Sequence, residues 1–298
     1  MLRNGRGAVF GSQQHLAAEE YLALAEVDDE GVEGRILLAA PLYENHITAH
    51  YHQEMKEEKS AVWDEDTGTV KARIKVSLGA IVMKDQPDPR PSEEMIVQAL
   101  LNSVKEHGMK VLPWNAKSRQ LQARIIFMHS LDNKWPNVSN EALTESVEEW
   151  LAPYIMGFRK RSDFNRLSLT MIFENMLGWE LLQELNEEAP THLYAPSGSK
   201  IPVQYEGPQA PYAAVRLQEV FGMLDTPRIG YGRIAIILHL LSPASRPVQV
   251  TSDLNSFWNN TYFDVKKDLK GRYPKHYWPD DPMNAVATRK VRPDAKKP

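Results

Sequence analysis

Apolar and polar residues alternate most cleanly between Thr69 and Met83. Val70, Ala72, Ile74, Val76 and Leu78 share one face there, and Lys71, Arg73, Lys75 and Ser77 the other. A period of two is that of a half-buried strand. Upstream, Glu20 to Val27 and Glu33 to Ala40 are apolar runs joined by Asp28-Asp29-Glu30-Gly31-Val32, a turn composition that predicts a hairpin. A short helix is expected from Tyr43 to about Glu57. A second hairpin then pairs Lys59 to Trp63 with Thr69 to Met83 about Asp64-Glu65-Asp66-Thr67-Gly68. Strands at this spacing fit a small barrel of the oligonucleotide-binding (OB) type, and equally an open sheet.

The Pro-rich run Gln86-Pro87-Asp88-Pro89-Arg90-Pro91 ends this region. Ser92 starts a helix with Glu93 and Glu94 in its first turn, which runs over Met95, Ile96, Ala99, Leu100 and Val104 to Gly108. Amphipathic helices are expected to follow: Leu121, Ile125 and Met128; Leu143, Val147, Trp150 and Leu151, closed by Pro153; Ile172 to Leu177, ending at Gly178; and Leu181 to Leu185, ending before Pro190. Strand character returns at Thr191 to Ala195, Ile201 to Glu206, Ile234 to Leu241 and Val248 to Thr251. Tyr212 to Gly222 mixes strand and helix signals.

The last helix is expected over Ser252 to Lys270, with Ser252 as N-cap, Asp253 in the first turn and Gly271 as a left-handed C-cap. Leu254, Phe257, Trp258, Tyr262, Val265 and Leu269 give it one buried face. Pro274, Pro279 and Pro282 then forbid helix and leave an extended aromatic arm. The fold class expected is α+β. It comprises an OB-like β-rich unit (1–86), a helical subdomain (87–190), a mixed α/β unit (191–282) and a basic flexible tail (283–298).

Composition adds three constraints. With no cysteine there is no disulfide framework and no thiolate metal site, which fits a reducing cytoplasm. Met1 is followed at once by Leu2-Arg3-Asn4-Gly5-Arg6, with no apolar segment of a signal peptide, and no run is long enough to span a bilayer, so a cytoplasmic protein without membrane contact is expected. The net charge of −4 is unevenly spread: ten basic residues against five acidic ones make Asp264 to Pro298 +5, and the first 263 residues therefore carry −9. A basic end suits a polyanionic partner, or a solvated tail that binds nothing.

Candidate chemistry is sparse. Glu44, His46, His50 and His52 could offer a metal two imidazoles one helical turn apart, but Ile47-Thr48-Ala49 lacks the glutamate of H-E-x-x-H, and a solvated helix face explains them. Lys71, Arg73 and Lys75 form a basic stripe for phosphates, or an ion-paired face opposite Glu58 and its neighbours. Lys266, Lys267, Lys270, Arg272, Lys275 and His276, beside Tyr273, Tyr277 and Trp278, combine cations with rings, the two things that single-stranded nucleic acid demands. The lysines also complement a helix C-terminus, and the aromatic arm fits a structural strap. Arg246 and Lys200 are lesser candidates, each in a turn. No nucleophile, base and orienter group together.

Several runs resemble one family. Arg246-Pro247-Val248-Gln249-Val250-Thr251, Phe257-Trp258, and Val265-Lys266-Lys267-Asp268-Leu269-Lys270-Gly271-Arg272-Tyr273-Pro274-Lys275-His276, with Trp278-Pro279 and Asp281-Pro282, resemble the closing segment of the HrpB family of bacterial DEAH-box ATP-dependent helicases. Leu2 to Ala8, Leu112-Pro113-Trp114, Glu149 to Tyr154, Ala189 to Leu193, Pro196 to Lys200 and Val215 to Gly222 are similar to that family in the same order. Tyr277, where proline is expected, and Asp280, where glutamate is expected, depart from its pattern.

A phosphate-binding loop of the G-x-x-x-x-G-K-[ST] type is missing from the sequence. Ser197-Gly198-Ser199-Lys200-Ile201 lacks both its leading glycine and its final hydroxyl, and reads as a hairpin turn. The resemblance therefore implies the C-terminal region of such a helicase without its motor. ATP and Mg²⁺ would be bound by the motor domains, in cis or in trans, and this chain would take no cofactor of its own. Its expected role is to hold single-stranded RNA or DNA and brace the motor. The alternative is a stand-alone protein-interaction module with an exposed apolar patch near the N-terminus and no RNA affinity, and a hydrolase built on His46 and His50 is a third possibility.

Overall fold

The computed structural model describes residues 1–28, 31, 33–207 and 210–293. Of the expected N-terminal turn, Asp29, Glu30 and Val32 lie outside these, as do Lys296 and Lys297 of the expected tail. The strands are β1 (Ala8–Phe10), β2 (Leu22–Asp28), β3 (Gly34–Pro41), β4 (Met55–Asp64), β5 (Thr69–Leu78), β6 (Ile81–Pro87), β7 (His192–Tyr194), β8 (Lys200–Gln204), β9 (Tyr212–Arg216), β10 (Arg228–Ile229), β11 (Ile234–Ala235), β12 (Ile237–Leu241) and β13 (Pro247–Thr251). The helices are α1 (Glu44–Tyr51), α2 (Glu93–His107), α3 (Ala116–Leu131), α4 (Asn140–Glu145), α5 (Val147–Leu151), α6 (Leu169–Glu188), α7 (Leu254–Ser256) and α8 (Tyr262–Arg272). The chain is thus mixed α+β, with several small sheets.

Its contacts gather into two units. The first comprises Met1–Gly108 with Val147–Arg166, the second Met109–Ser146 with the chain from Leu167 onward.

In the first unit β3 lies between β1, which runs parallel to it, and antiparallel β2. With both edges of β3 occupied, the chain leaves through α1 and starts a separate antiparallel meander, β4-β5-β6. Among the described residues these six strands form two open three-stranded sheets, which corrects the expected OB-like barrel: closure would require β4 or β6 to bond to the first sheet. The helix expected to reach Glu57 stops at Tyr51, because Met55 to Asp64 pairs along its whole length with β5. Cross-strand pairing there overrides a weak local signal.

The single strand expected to Met83 is in fact β5 and β6. Gly79 turns the chain at φ +58°, with Ala80 donating its N–H to the Arg3 carbonyl at 2.8 Å. A Cβ on Gly79 would lie 2.3 Å from that carbonyl oxygen, so both the backbone angle and the close approach require glycine.

Helix α2 begins as expected: Ser92 Oγ accepts from the Met95 N–H at 3.3 Å, and Gly108 closes it at φ +73°. Its buried Ile96, Ala99, Leu100 and Val104 face β4 and α5. The returning segment is tied in by backbone, Val70 N–H to Arg159 carbonyl at 2.9 Å and Arg161 N–H to Gly68 carbonyl at 2.8 Å.

In the second unit, a reciprocal Asn115/Ser118 capping box starts α3. Helix α6 breaks at Gly178 (φ +69°), where the sequence places a helix end. Arg124, 5% exposed, reaches from α3 to the C-terminus of α6: it donates to the Ala189 carbonyl at 2.6 Å, the Leu185 carbonyl at 3.1 Å and Asn186 Oδ1 at 2.7 Å. The Leu185 carbonyl also accepts from the Ala189 N–H at 2.9 Å, so Arg124 is a second donor there and meets the negative end of the helix dipole. Burial pulls the guanidinium pKa below its usual value.

Five strands form the sheet β13-β12-β9-β8-β7, in which only β9 and β12 run parallel. Leu254, Phe257, Trp258, Tyr262 and Leu269 are buried on one face of the last helical segment, as their spacing predicts. Its ends differ from expectation. Asp253, not Ser252, is the N-cap, its Oδ1 accepting from the Ser256 N–H at 2.8 Å. A π-helical stretch, Phe257–Thr261, joins α7 to α8, and Gly271 stays helical because the Tyr273 N–H still reaches the Leu269 carbonyl at 2.7 Å.

Two outcomes are expected. Arg124→Met removes the guanidinium donor to the Ala189 carbonyl and Asn186 Oδ1 and should lower stability in urea unfolding by about 1–3 kcal/mol; an unchanged midpoint would contradict the capping role. The Lys71 ammonium, with the Thr67 hydroxyl and N–H, holds the Asp64 carboxyl at about 2, against a usual 3.8. Because the folded value is the lower one, this contribution to the β4–β5 hairpin is present above about pH 4 and fades as pH falls towards 2. A carboxyl carbon titration by NMR should place Asp64 near 2, and higher once Lys71 is replaced by methionine, with the Thr67 hydrogen bonds still holding it below the usual 3.8.

Candidate nucleic-acid interface

The basic residues singled out in the sequence fall in three places. On α8, Lys266 is turned inward: its side chain is 12% exposed, and Nζ donates to the Pro279 carbonyl at 2.9 Å and to Asp280 Oδ1 at 2.5 Å. That ammonium holds the Asp280 carboxyl below its ordinary pKa. Lys266 therefore fastens the arm to the helix. Lys267 and Lys270 remain exposed one helical turn apart, and Arg272 pairs with Asp268 at 3.1 Å. Lys275 is exposed, and the half-buried His276 meets the Tyr273 ring edge-on, its Nδ1 buried without a hydrogen-bond partner.

The rings of the arm are packed. Tyr277 meets Phe221 edge-on at 5.9 Å, Trp278 Nε1 donates to the Tyr273 carbonyl at 2.9 Å, and Tyr262 Oη donates to the Pro279 carbonyl at 2.9 Å. The following chain is held too. Thr288 N–H reaches the Gln218 carbonyl at 3.0 Å, and Gln218 Nε2 the Lys290 carbonyl at 2.8 Å.

On β5, in the first unit, Lys71 pairs with Asp64 at 2.6 Å and Arg73 with Asp85 at 2.6 Å, while Glu58 lies directly across from Lys75. This stripe is largely matched by carboxylates of its own sheet. Glu44, His46, His50 and His52 are all exposed around α1. Among the described residues no three histidine, aspartate or glutamate side chains group as a metal would need.

The third place is the five-stranded sheet, and it holds residues that the sequence did not single out. Ile201, Val203, Ala213, Val215, Leu238 and Leu240 are buried on one face. On the other, the rings of Tyr212 and His239 stack in parallel, centroids 4.6 Å apart and planes 15° apart, and His239 Nε2 has no hydrogen-bond partner.

Leu241 of β12 lies across from Arg216 on one side and Pro247 on the other, next to the exposed Arg246 of the β12–β13 turn. Strand β8 pairs antiparallel with β9 (Val203 to Ala213, Gln204 to Tyr212), so the exposed Lys200 at its start lies at the end of the sheet where β9 finishes, and Lys200 pairs in turn with Tyr194, which is 72% exposed. Arg216 donates to Ser245 Oγ at 3.3 Å, and Glu219 comes within 3.9 Å of it. Glu219 is itself buried and accepts from the Ser197 hydroxyl at 3.1 Å and from the Ser199 hydroxyl, which fixes the turn that carries Lys200. The one available signal was Tyr212, Arg216 and His239 at positions that alternate with buried residues of β9 and β12.

In the first unit an open cleft of about 1490 Å³ is lined mainly by apolar residues, among them Leu2, Phe10, Leu24, Ile36, Val82 and Met83. Val9, Leu37, Leu38 and Val62 of the same unit are half-exposed or more.

Residues 150–282 match the family HrpB_C, described as ATP-dependent helicase C-terminal. Over 295 residues, 98% of its length, the chain is 36% identical to the ATP-dependent RNA helicase HrpB of Escherichia coli (strain K12), and it spans 36% of that relative. Two solved structures are similar. A crystal structure of the E. coli DExH-box NTPase HrpB has a TM-score of 0.67 at 36% identity, covering 97% of this chain and 36% of that one. A second, of the Escherichia coli DEAH/RHA helicase HrpB, has a TM-score of 0.58 at 32% identity, covering 93% and 35%. Residues 150–282 therefore carry the C-terminal domain of ATP-dependent helicases, and along nearly its whole length the chain is similar to about a third of the HrpB helicase.

Proposed function

We propose that this chain serves as the accessory region of an ATP-dependent RNA helicase, holding or guiding single-stranded nucleic acid and bracing a motor that hydrolyses ATP. The observation that carries the reading is the similarity along nearly the whole chain to a helicase of which it spans 36%. ATP and Mg²⁺ belong to the motor, in cis or in trans, since the sequence has no phosphate-binding loop. The apolar cleft of the first unit offers a surface for bracing, because apolar area left in contact with water favours a partner. A cytoplasmic setting fits the absence of cysteine. Among the described residues, no helix is long and apolar enough to cross a membrane.

A stand-alone protein-interaction module is the second reading. The exposed Val9, Leu37 and Leu38 favour it, as an apolar patch near the N-terminus is what it requires. Affinity for RNA separates the two.

The 298-residue chain should bind single-stranded RNA with an affinity that falls as salt rises, the mark of counterion release. In a fluorescence anisotropy titration, absence of binding at low ionic strength would leave only the interaction module. The same preparation should release no phosphate from ATP above the background of a buffer control; turnover by the chain alone would refute the division of labour.

A further inference from the structure

We propose that the open face of the five-stranded sheet is the nucleic-acid platform, with bases stacked on the Tyr212–His239 pair and phosphates held by Lys200, Arg216 and Arg246. This rests on the reading that the chain holds single-stranded nucleic acid, and it moves the grip from the basic arm after Asp264 to the sheet.

The chemistry follows from the alternation of the strands. Once Ala213, Val215, Leu238 and Leu240 point into the core, their neighbours Tyr212, Ala214, Arg216, Ile237, His239 and Leu241 must point the other way. On that face Ala214 is exposed, and Tyr212, Arg216, Ile237, His239 and Leu241 are half-buried.

The two rings come from strands that are far apart in the chain and meet only because β9 and β12 are parallel neighbours, with Ile237 opposite Tyr212 and His239 opposite Ala214. Parallel planes 4.6 Å apart form a stack that a planar base extends.

The cations gather at one end of the sheet: Lys200 opens β8, Arg216 closes the antiparallel β9, and Arg246 lies in the turn that follows β12. Glu219 pairs with Arg216 at 3.9 Å, so the net positive charge of this end rests on the exposed Lys200 and Arg246. Tyr194, paired with Lys200, offers a second ring.

On α8 Lys266 is bound to Asp280 and Arg272 to Asp268, which leaves Lys267 and Lys270 exposed but with the rings of the arm packed away from them. Ile237, Leu241 and Val250 make the sheet face partly apolar, which would also suit a protein. Cations gathered at one end of the sheet beside a ring stack favour the polyanion.

The test is anisotropy of the full chain with a fluorescein-labelled 12-nucleotide oligouridylate at several salt concentrations. Three double variants accompany the wild type, and thermal melts are recorded for each. Tyr212→Ala with His239→Ala should weaken binding tenfold or more, on the order of the loss of one or two stacked bases. Lys200→Ala with Arg246→Ala, both exposed and so neutral for folding, should lower the slope of log K against log salt by about 1.4, at roughly 0.7 per phosphate contact on a single strand. Lys267→Ala with Lys270→Ala on α8 should change the affinity less than either.

If the wild type does not bind, the functional reading fails and the platform with it. If the wild type binds and only the α8 variant loses affinity, the functional reading stands and the platform is overturned. Binding unchanged by both sheet variants likewise overturns it and gives the face to another occupant.

Discussion

The second unit depends on a constraint of pleated strands: a residue that points into the core forces its two neighbours out of it. Ile201 and Val203 on β8, Ala213 and Val215 on β9, and Leu238 and Leu240 on β12 are all at most 6% exposed. Their burial fixes the register of three strands, since a slip of one residue would place Lys200, Arg216 and His239 in the core. The open face is therefore specified by the buried one. Cations and a ring stack can sit there at little cost to stability, because the opposite face carries the packing.

A second cluster holds the C-terminal arm. Phe221 touches Trp258, Tyr262 and Tyr277 at ring distances of 6.0, 6.0 and 5.9 Å. Lys266 completes it, since its ammonium caps the Pro279 carbonyl and pairs with Asp280. A lysine that appears in sequence as part of a phosphate-binding run is spent on fastening the chain to itself. Lys267 and Lys270, which share its run, stay outside. Burial, rather than charge count, divides these three residues.

What the sequence shows and hides follows the range of the interactions. Local signals are legible: the Ser92 cap of α2, its Gly108 stop, the break of α6 at Gly178, the alternation in β5 and the buried stripe from Leu254 to Leu269 all match the structure. Non-local ones are not. The three-residue β1 takes the second edge of β3 and prevents the expected barrel, yet nothing in Ala8-Val9-Phe10 announces a partner at Gly34 to Ile36. Gly79 is hidden among Leu78, Ile81 and Val82, and its turn is required by the Arg3 carbonyl far upstream. Tyr212 and His239 fail to stand out for the same reason, because only the pairing of β9 with β12 makes them a stack. Family resemblance was readable without this, as it rests on the order of short runs rather than on their contacts.

Photo-crosslinking reports most directly on whether the chain grips a single strand on its sheet. A 4-thiouridine oligomer irradiated with the full chain and mapped by mass spectrometry should label peptides that contain Tyr212, His239 or Tyr194. Label confined to α8 and the arm, or found nowhere at low salt, would contradict the account.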